Sequence, residues 1–205
     1  YGLNASGPAP KSLSVAALKD RGFEKIPSYG VEPIDVPGAV AGWMTLHERF
    51  GKLPLEEVMA PAIRYAEEGY PVTPNISRLW QEAFENYSKY RDRPEFQGWF
   101  DTFAPNNTWL KPGEMFRCPD MAKTLKEIAA TKGEAFYRGA IAEKIDAFFK
   151  KHNGFLTKED LAAFKPEWVD PISVNYHGVD VWELPPNGHG ITVLMALQIL
   201  KDMNL

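Results

Sequence analysis

Residues 35–70 carry two consecutive stretches in which apolar side chains return at helical spacing. The apolar positions of the first stretch are Val40, Trp43, Met44 and residues 46–50. Asp35 belongs to the residue types that cap helices, and Pro37 suits a first helical turn because that turn has no partner for its N–H groups. Gly51 then interrupts the pattern. We therefore predict a helix that Asp35 caps and Gly51 ends.

The second stretch follows the sequence Lys-Leu-Pro and places its apolar residues on one helical face. These residues are Leu55, Val58, Met59, Ala62, Ile63 and Ala66. Pro61 lies inside the pattern, and proline lacks the N–H group that an inner helical turn needs. We therefore expect a kink or a restart at Pro61. Gly69 is placed to end this helix in a left-handed conformation.

The same periodicity, together with start and stop residues, predicts further helices. They run from a Ser12 or Ser14 cap to about Lys19, from Thr73-Pro74 to about Tyr90, from Pro119 to about Lys132, from about Ala135 to Lys151, and from Ile191 to Asp202. The last of them is apolar nearly all round, so we expect it to be buried on most faces. Thr157 and Asp160 have the spacing of a capping box, which predicts a short helix from Lys158.

Three stretches lack the helical period. Residues 91–118 are rich in aromatic residues, proline and glycine, and we predict an irregular segment whose aromatic side chains fill the core. Residues 31–36 should be extended because prolines disfavour helix in the residues before them. Residues 172–184 alternate between apolar and polar types around His177-Gly178, which predicts a β-hairpin. The predicted fold class is mainly α with a small β-hairpin, in a single piece spanning residues 1–205.

Composition narrows the possible function classes. Hydrophobic residues make up 44% of the chain and charged residues 24%, as in ordinary globular proteins. The net charge is −4 and no basic cluster occurs, so nucleic acid is not an expected partner. No apolar run reaches the roughly 18–20 residues of a membrane helix. Cys118 is the only cysteine, which excludes a disulfide within the chain and a zinc site built on cysteines.

Local signatures of catalysis or metal binding do not occur in the sequence. The four histidines, His47, His152, His177 and His189, lack the i, i+4 spacing of a helical metal pair. No Gly-x-Ser-x-Gly motif and no phosphate-binding loop is present. Residues 188–190 read Gly-His-Gly before a helix, which can bind an anion but serves equally to pack a strand–loop–helix corner. We therefore assign no catalytic, substrate-binding or metal-binding residue, and no cofactor.

Four motifs follow one another along the chain in a specific order. The first, within residues 35–70, contains V-P-G-x-V-x-G, then F-G-K-L-P, then P-A-I-R-Y-A-E-E-G-Y. The others are FYRGAIAEKI at Phe136–Ile145, GFLTKEDLAAF at Gly154–Phe164, and YHGVDVWELPPNGHGITVLMALQIL at Tyr176–Leu200. Together they resemble the large-subunit interior of the γ-glutamyltransferase (γ-glutamyltranspeptidase) family, which includes the cephalosporin acylases.

The resemblance implies an N-terminal-nucleophile hydrolase, whose precursor cleaves itself before a threonine. The threonine hydroxyl attacks a γ-glutamyl amide, its own α-amino group acts as base, and the acyl group passes to water or to an amino acid. In the family this threonine begins a small subunit downstream of the region matching residues 176–200. An arginine that holds the substrate carboxylate lies upstream of the region matching Tyr1. No catalytic residue is therefore carried over to this chain.

The resemblance also implies an architecture and partners. We expect an internal fragment of the large subunit, forming part of a four-layered α/β/β/α fold. The expected partners are a small subunit with an N-terminal threonine and a γ-glutamyl small molecule. We expect the fragment to be inactive when it is alone.

One motif departs from the family's pattern. Transferases of the family usually read P-P-P-S-S-G-G where this chain reads P-P-N-G-H-G at residues 185–190. The departure favours hydrolysis of a γ-glutamyl or related amide over transpeptidation. An alternative of a different class is a free-standing helical binding or scaffold domain derived from the family. The apolar residues 191–200 argue against it, because such a helix needs neighbours on several sides.

Overall fold

The structure, a computed structural model, describes residues 1–203, of which about half are helical. The helices are α1 Val15–Asp20, α2 Ala39–Phe50, α3 Leu55–Glu68, α4 Pro74–Tyr87, α5 Gln97–Phe103, α6 Pro119–Thr131, α7 Glu134–Tyr137, α8 Ala140–Lys151, α9 Lys158–Ala163 and α10 Gly190–Leu200. The strands are β1 Gly2–Asn4, β2 Tyr70–Pro71, β3 Met115–Phe116, β4 Glu167–Val169, β5 Ile172–Tyr176 and β6 Val179–Glu183. In the described part of the chain, no helix combines the length and apolarity needed to cross a membrane.

The strands form three antiparallel pairs, β1–β4, β2–β3 and β5–β6. The pair β5–β6 is the predicted hairpin, and its turn has φ of 48° at His177 and 85° at Gly178. Positive φ at both central positions matches the twist of the flanking strands.

The prediction for residues 31–36 is wrong at its start, because residues 31–33 bend and turn instead of extending.

Several predicted helix starts are confirmed by hydrogen bonds between neighbours in the sequence. The hydroxyl of Ser14 accepts from the amide of Ala17 at 3.1 Å, and that of Thr73 accepts from the amide of Ile76 at 3.4 Å. Before α9, the predicted capping box is formed in both directions. Such caps satisfy N–H groups that have no partner inside the helix.

The predicted Asp35 cap of α2 is wrong. The residue at the N-cap position is Gly38, and no side chain caps the helix. The reason is a tertiary contact, since the amide of Val36 donates to the carbonyl of Pro8 at 3.0 Å and holds residues 36–38 against the N-terminal segment. Gly51 ends α2 as predicted.

Helix α3 runs through Pro61 without interruption, so the restart considered for this position does not occur. Pro61 is exposed, and water can therefore reach the carbonyl of Glu57, which loses its helical N–H partner. Gly69 ends the helix with φ 91° and ψ 170°. The positive φ favours glycine, but this ψ lies outside the left-handed helical region that the sequence predicts.

The helix predicted over residues 135–151 is two helices, α7 and α8. They are separated because Arg138 (φ −136°, ψ 0°) and Gly139 (φ −121°, ψ −150°) leave the helical region. The break coincides with a tertiary contact of the buried Tyr137. Its hydroxyl donates to the carbonyl of Pro37 at 2.7 Å and accepts from the amide of Ala41 at 3.0 Å.

Helix α5 lies inside residues 91–118, for which the sequence predicts irregular structure. Its seven residues are too few to show a helical period. Phe96 and Phe100 are buried here, and partly buried aromatic side chains of α4, of α5 and of Tyr90 after α4 pack against them. The prediction that these aromatic residues fill a core is therefore confirmed for Phe96 and Phe100.

A larger core joins α2, α3, α6, α7, α8 and α9. Its buried residues are Val31, Val36, Val40, Met59, Ile128, Ala129, Ala135, Tyr137, Ile141, Ala142, Phe149, Leu156, Leu161 and Phe164. Helix α10 lies outside this core, against β5 and β6. Only Leu194 of α10 is buried in the described chain, and Met195 and Ile199 are 60% and 67% exposed. The expected burial of α10 on most faces is therefore not met by residues 1–203.

The N-terminal segment passes very close to the start of α2. A Cβ added to Gly38 would overlap the carbonyl oxygen of Ala5, and one added to Gly7 would overlap the carbonyl oxygen of Val36. One turn further along α2, a Cβ on Gly42 would lie 2.9 Å from the Cβ of Ala5. Gly38 and Gly42, the two glycines of V-P-G-x-V-x-G, thus form the surface of α2 that Ala5 contacts.

We predict that Gly38→Ala destabilises the natural full-length protein, because its Cβ would meet the Ala5 carbonyl and lie 2.9 Å from Cζ of Phe164. The expected loss of unfolding free energy, measured with urea, is about 3 kcal/mol. Gly98→Ala in α5 is the matched control, since nothing lies within 4 Å of its added Cβ. The control should gain about 0.5–1 kcal/mol. Equal stability of the two variants would contradict the close approach.

A second prediction concerns Asp146, which is buried in α8. Its carboxylate accepts from Nζ of Lys150 at 2.6 Å and from the amide of Lys158 at 3.2 Å. The Lys150 ammonium group lowers the pKa of Asp146 against the opposing effect of burial. A lowered folded-state pKa stabilises the protein above about pH 4, and the stabilisation is lost as the pH falls further.

Asp146→Asn should therefore lower the melting temperature at pH 7. Below pH 4, this decrease should become progressively smaller. Thermal unfolding across this pH range measures the difference. Asp120→Asn is the control, because Asp120 also pairs with a lysine but is 91% exposed in its side chain. Exposed pairs contribute little, so a decrease as large for the control would contradict the role of Asp146.

Candidate functional site

The residue types considered for chemistry in the sequence lie on separate elements. His47 is in the last turn of α2, and its Nε2 lies 2.8 Å from the carbonyl oxygen of Leu53. His177 is in the hairpin turn. His152 and His189 occupy the C-cap of α8 and the N-cap of α10. Across residues 1–203, no three His, Cys, Asp or Glu side chains are grouped so that they could hold a metal ion.

A polar cleft of about 390 Å³ lies where three distant parts of the chain meet. One wall is the N-terminal segment 4–8, the second is residues 163–167 after α9, and the third is Asn187 in the loop before α10. Its lining residues are Asn4, Ser6, Gly7, Pro8, Ala163, Phe164, Lys165, Glu167 and Asn187. We define these residues as the polar cleft.

The first wall owes its position to strand pairing and to the glycine contacts at α2. In the β1–β4 pair, Asn4 is directly opposite Glu167. The side-chain oxygen of Asn4 accepts from the amide of Ser6 at 3.0 Å, which turns the chain away from the strand. Gly7 then lies against the backbone of Val36.

The second wall begins where α9 ends. Phe164 is buried against Tyr137, with ring centroids 5.9 Å apart, so the chain is fixed just before Lys165. Lys165 and Glu167 are exposed, and neither forms an ion pair within the described residues. The cleft therefore offers a positive and a negative side chain to a ligand.

The third wall comes from the loop in which the sequence departs from P-P-P-S-S-G-G. The hairpin β5–β6 leads into this loop, and α10 begins at Gly190. A Cβ on Gly190 would lie 2.7 Å from the Cβ of Glu183, so the loop turns back tightly on the hairpin. This turn brings Asn187 to the cleft.

The cleft can bind a small polar molecule, because its volume is typical of ligand pockets and its amide, ammonium and carboxylate groups can both donate and accept hydrogen bonds. Sequence reasoning did not identify this site. The departure at residues 185–190 was the one sequence signal that involved it. The first-wall residues precede Asn187 by more than 160 positions in the sequence, and the second-wall residues precede it by about 20. Spacing along the chain therefore could not show that these residues line one cleft.

Comparison with known proteins bears on the resemblance noted in the sequence. The family model described as gamma-glutamyltranspeptidase matches residues 1–205. The glutathione hydrolase proenzyme of Pseudomonas aeruginosa is 34% identical over 206 residues, covering 98% of this chain and 35% of its own length. The chain thus spans about a third of that relative.

Two solved structures share the fold. The crystal structure of cephalosporin acylase from Bacillus halodurans matches with a TM-score of 0.97 and 51% identity, over 100% of this chain and 38% of that chain. The γ-glutamyltranspeptidase of Helicobacter pylori matches with a TM-score of 0.87 and 28% identity, over 99% and 58% of the two chains.

The motifs, the family match over residues 1–205 and the two structural matches agree with one another. The chain therefore belongs to the γ-glutamyltranspeptidase family, of which it represents the large-subunit region.

Proposed function

We propose that this chain is the large-subunit part of a proenzyme that cleaves γ-glutamyl or related acyl amides. The observation that carries the proposal is the family match over the whole chain, together with a relative that is named as a proenzyme. The nucleophile in this proposal is the N-terminal threonine of a small subunit, outside residues 1–205. Its hydroxyl attacks the amide carbonyl and its α-amino group takes the hydroxyl proton. That proton passes to the leaving amine as the C–N bond breaks, and water then hydrolyses the ester of the acyl-enzyme to release the acid and the free hydroxyl.

The chain contributes a wall of the substrate site in this proposal. The polar cleft has the size and the mixed charge that suit the polar end of a small amide substrate. Lys165 and Glu167 would hold opposite charges of the substrate, and Asn187 would bind a neutral polar group. Since Asn187 replaces a residue of the transferase motif, we propose hydrolysis as the main reaction.

The rest of the chain serves as scaffold in the same proposal. Residues 1–205 act as one piece, and α10 with the β5–β6 hairpin joins the layers of an α/β/β/α fold. An apolar groove of about 430 Å³ between β5 and α10 supports this, because exposed apolar surface of this kind gains free energy when it is covered. A free-standing helical binding domain is less well supported, since it would leave that groove in water.

Processing is the first prediction from the proposal. The natural full-length protein should mature into two chains, the second of which begins with threonine. Mass spectrometry and N-terminal sequencing measure this, and replacing that threonine with alanine should abolish both cleavage and hydrolysis of γ-glutamyl-p-nitroanilide. Residues 1–205 alone should be inactive. An unprocessed chain whose activity maps to a residue within 1–205 would overturn the proposal.

A second prediction tests the cleft. Lys165→Met in the processed enzyme should raise KM for γ-glutamyl-p-nitroanilide about tenfold, because a charged hydrogen bond to the substrate is lost. Lys151→Met is the control, since Lys151 is an exposed lysine at the end of α8 that does not line the cleft. Equal KM values for the two variants would exclude Lys165 from substrate binding.

A further inference from the structure

Asp160 links the chain just after the first wall of the polar cleft to α9, the helix that precedes the second wall. It is a buried carboxylate, 6% exposed, in the first turn of α9. One oxygen, Oδ2, accepts from the amide and the hydroxyl of Thr157 at 3.1 and 2.8 Å. The other, Oδ1, accepts from the amide of Lys11 at 3.1 Å. A single carboxylate therefore holds two segments that lie 149 positions apart.

We propose that Asp160 is a positioning residue that, together with the β1–β4 pair, sets the separation between the N-terminal wall and the 163–167 wall of the cleft. The inference rests on the proposed function, because it assigns to Asp160 an effect on substrate binding at the same site. Asp160 does not line the cleft itself. Its effect is transmitted through the backbone of Lys11 on one side and through α9 on the other.

The N-terminal wall is linked to the second wall near both of its ends. The β1–β4 pair places Asn4 opposite Glu167 at one end, and the bond between Lys11 and Asp160 lies just beyond the other. The carbonyl of Pro8 accepts from the amide of Val36, which ties the segment to the start of α2. The hydroxyl of Ser12 donates to the carbonyl of Phe155 at 3.1 Å, in the loop before α9. Of these contacts, the bond between Lys11 and Asp160 is the one made directly to α9, and α9 leads into the second wall.

The second wall depends on the same carboxylate. Helix α9 has only six residues, and a helix of this length is unstable without its caps and tertiary contacts. The capping box of Thr157 and Asp160 sets the direction in which α9 starts. The direction of α9 in turn fixes the positions of Phe164, which follows the helix, and of Lys165, which lines the cleft.

The ionised carboxylate suits this position because all three of its partners are donors. A carboxylate is acceptor-only, and hydrogen bonds to a charged acceptor are stronger than neutral ones. An asparagine would have to direct its NH₂ group toward either Thr157 or Lys11, where it would meet another donor. The chemistry of the three partners therefore selects aspartate over asparagine.

The link can be removed without touching Asp160. Residues Pro10 to Leu13 form a turn in which the amide of Leu13 donates to the carbonyl of Pro10 at 3.0 Å. Lys11 is the second residue of this turn, a position that proline favours in the common turn types. Lys11→Pro deletes the donor while the turn and the capping box stay intact. Lys11→Ala is the matched control because it removes the same side chain and keeps the amide.

The experiment compares the two variants in the processed full-length enzyme with γ-glutamyl-p-nitroanilide. Lys11→Pro should raise KM about tenfold with kcat within about threefold of the parent value, and Lys11→Ala should stay within about twofold for both constants. Asp160→Asn should repeat the KM effect. Amide hydrogen exchange should be at least about tenfold faster at Ser6 and Val36, whose amides donate to Asn4 and Pro8 of the N-terminal segment, in Lys11→Pro, but unchanged in Lys11→Ala.

Equal KM values for Lys11→Pro and Lys11→Ala, or unchanged exchange at Ser6 and Val36 in Lys11→Pro, would overturn the inference. A third variant, Thr73→Ala, separates positioning from stability, because it weakens the cap of α4 and leaves both the capping box of α9 and the bond between Lys11 and Asp160. If Thr73→Ala raised KM as much as Lys11→Pro, a general loss of stability would be the cause and the inference would be overturned. If the parent enzyme cleaved no γ-glutamyl or acyl amide, the proposed function would fail, while the exchange measurement would still decide whether the link holds the wall.

Discussion

The close approach of the Ala5 carbonyl to the first turn of α2 is the contact on which the arrangement of this chain depends. Only a residue without a Cβ fits at Gly38, and the same holds at Gly7 against Val36. Because these backbones touch, the N-terminal segment that follows β1 lies against the start of α2. Strand β1 then pairs with β4, which places Asn4 opposite Glu167. Gly7 and Gly38 thus set a wall of the cleft.

The main core also stabilises the start of α2 and the second wall of the cleft, through Tyr137. Tyr137 forms hydrogen bonds with residues on both sides of the start of α2 and packs against Phe164, which precedes the second wall. Burial raises the pKa of the Tyr137 hydroxyl, so it remains neutral through ordinary pH values. A buried hydroxyl that keeps both a donor and an acceptor partner avoids an unsatisfied-group cost of about 1–3 kcal/mol. The break between α7 and α8 accompanies this arrangement.

The surface of the chain has a polar region, the cleft, and a separate apolar region on α10 and the β5–β6 hairpin. The cleft gathers amide, ammonium and carboxylate groups, whereas α10 and the hairpin present apolar side chains that the described residues leave exposed. This division agrees with the proposed role of the chain, in which it would hold part of a substrate and pack against further protein. The two regions meet in the loop before α10, because that loop carries Asn187.

The sequence alone determined the family, through four motifs in a specific order, and it determined the caps at Thr73 and Thr157, the hairpin turn and most helix positions. For α1 it left Ser12 and Ser14 open as caps. The caps, the turn and the helices depend on interactions within about four residues, which local patterns record directly. Tertiary structure decided the start of α2, the division of residues 135–151 into two helices, helix α5 and the polar cleft. Each of these depends on contacts between parts of the chain that are distant in sequence, such as Val36 with Pro8, Tyr137 with Pro37, and Asp160 with Lys11. A local pattern cannot encode such contacts, because which backbones meet depends on how the whole core packs.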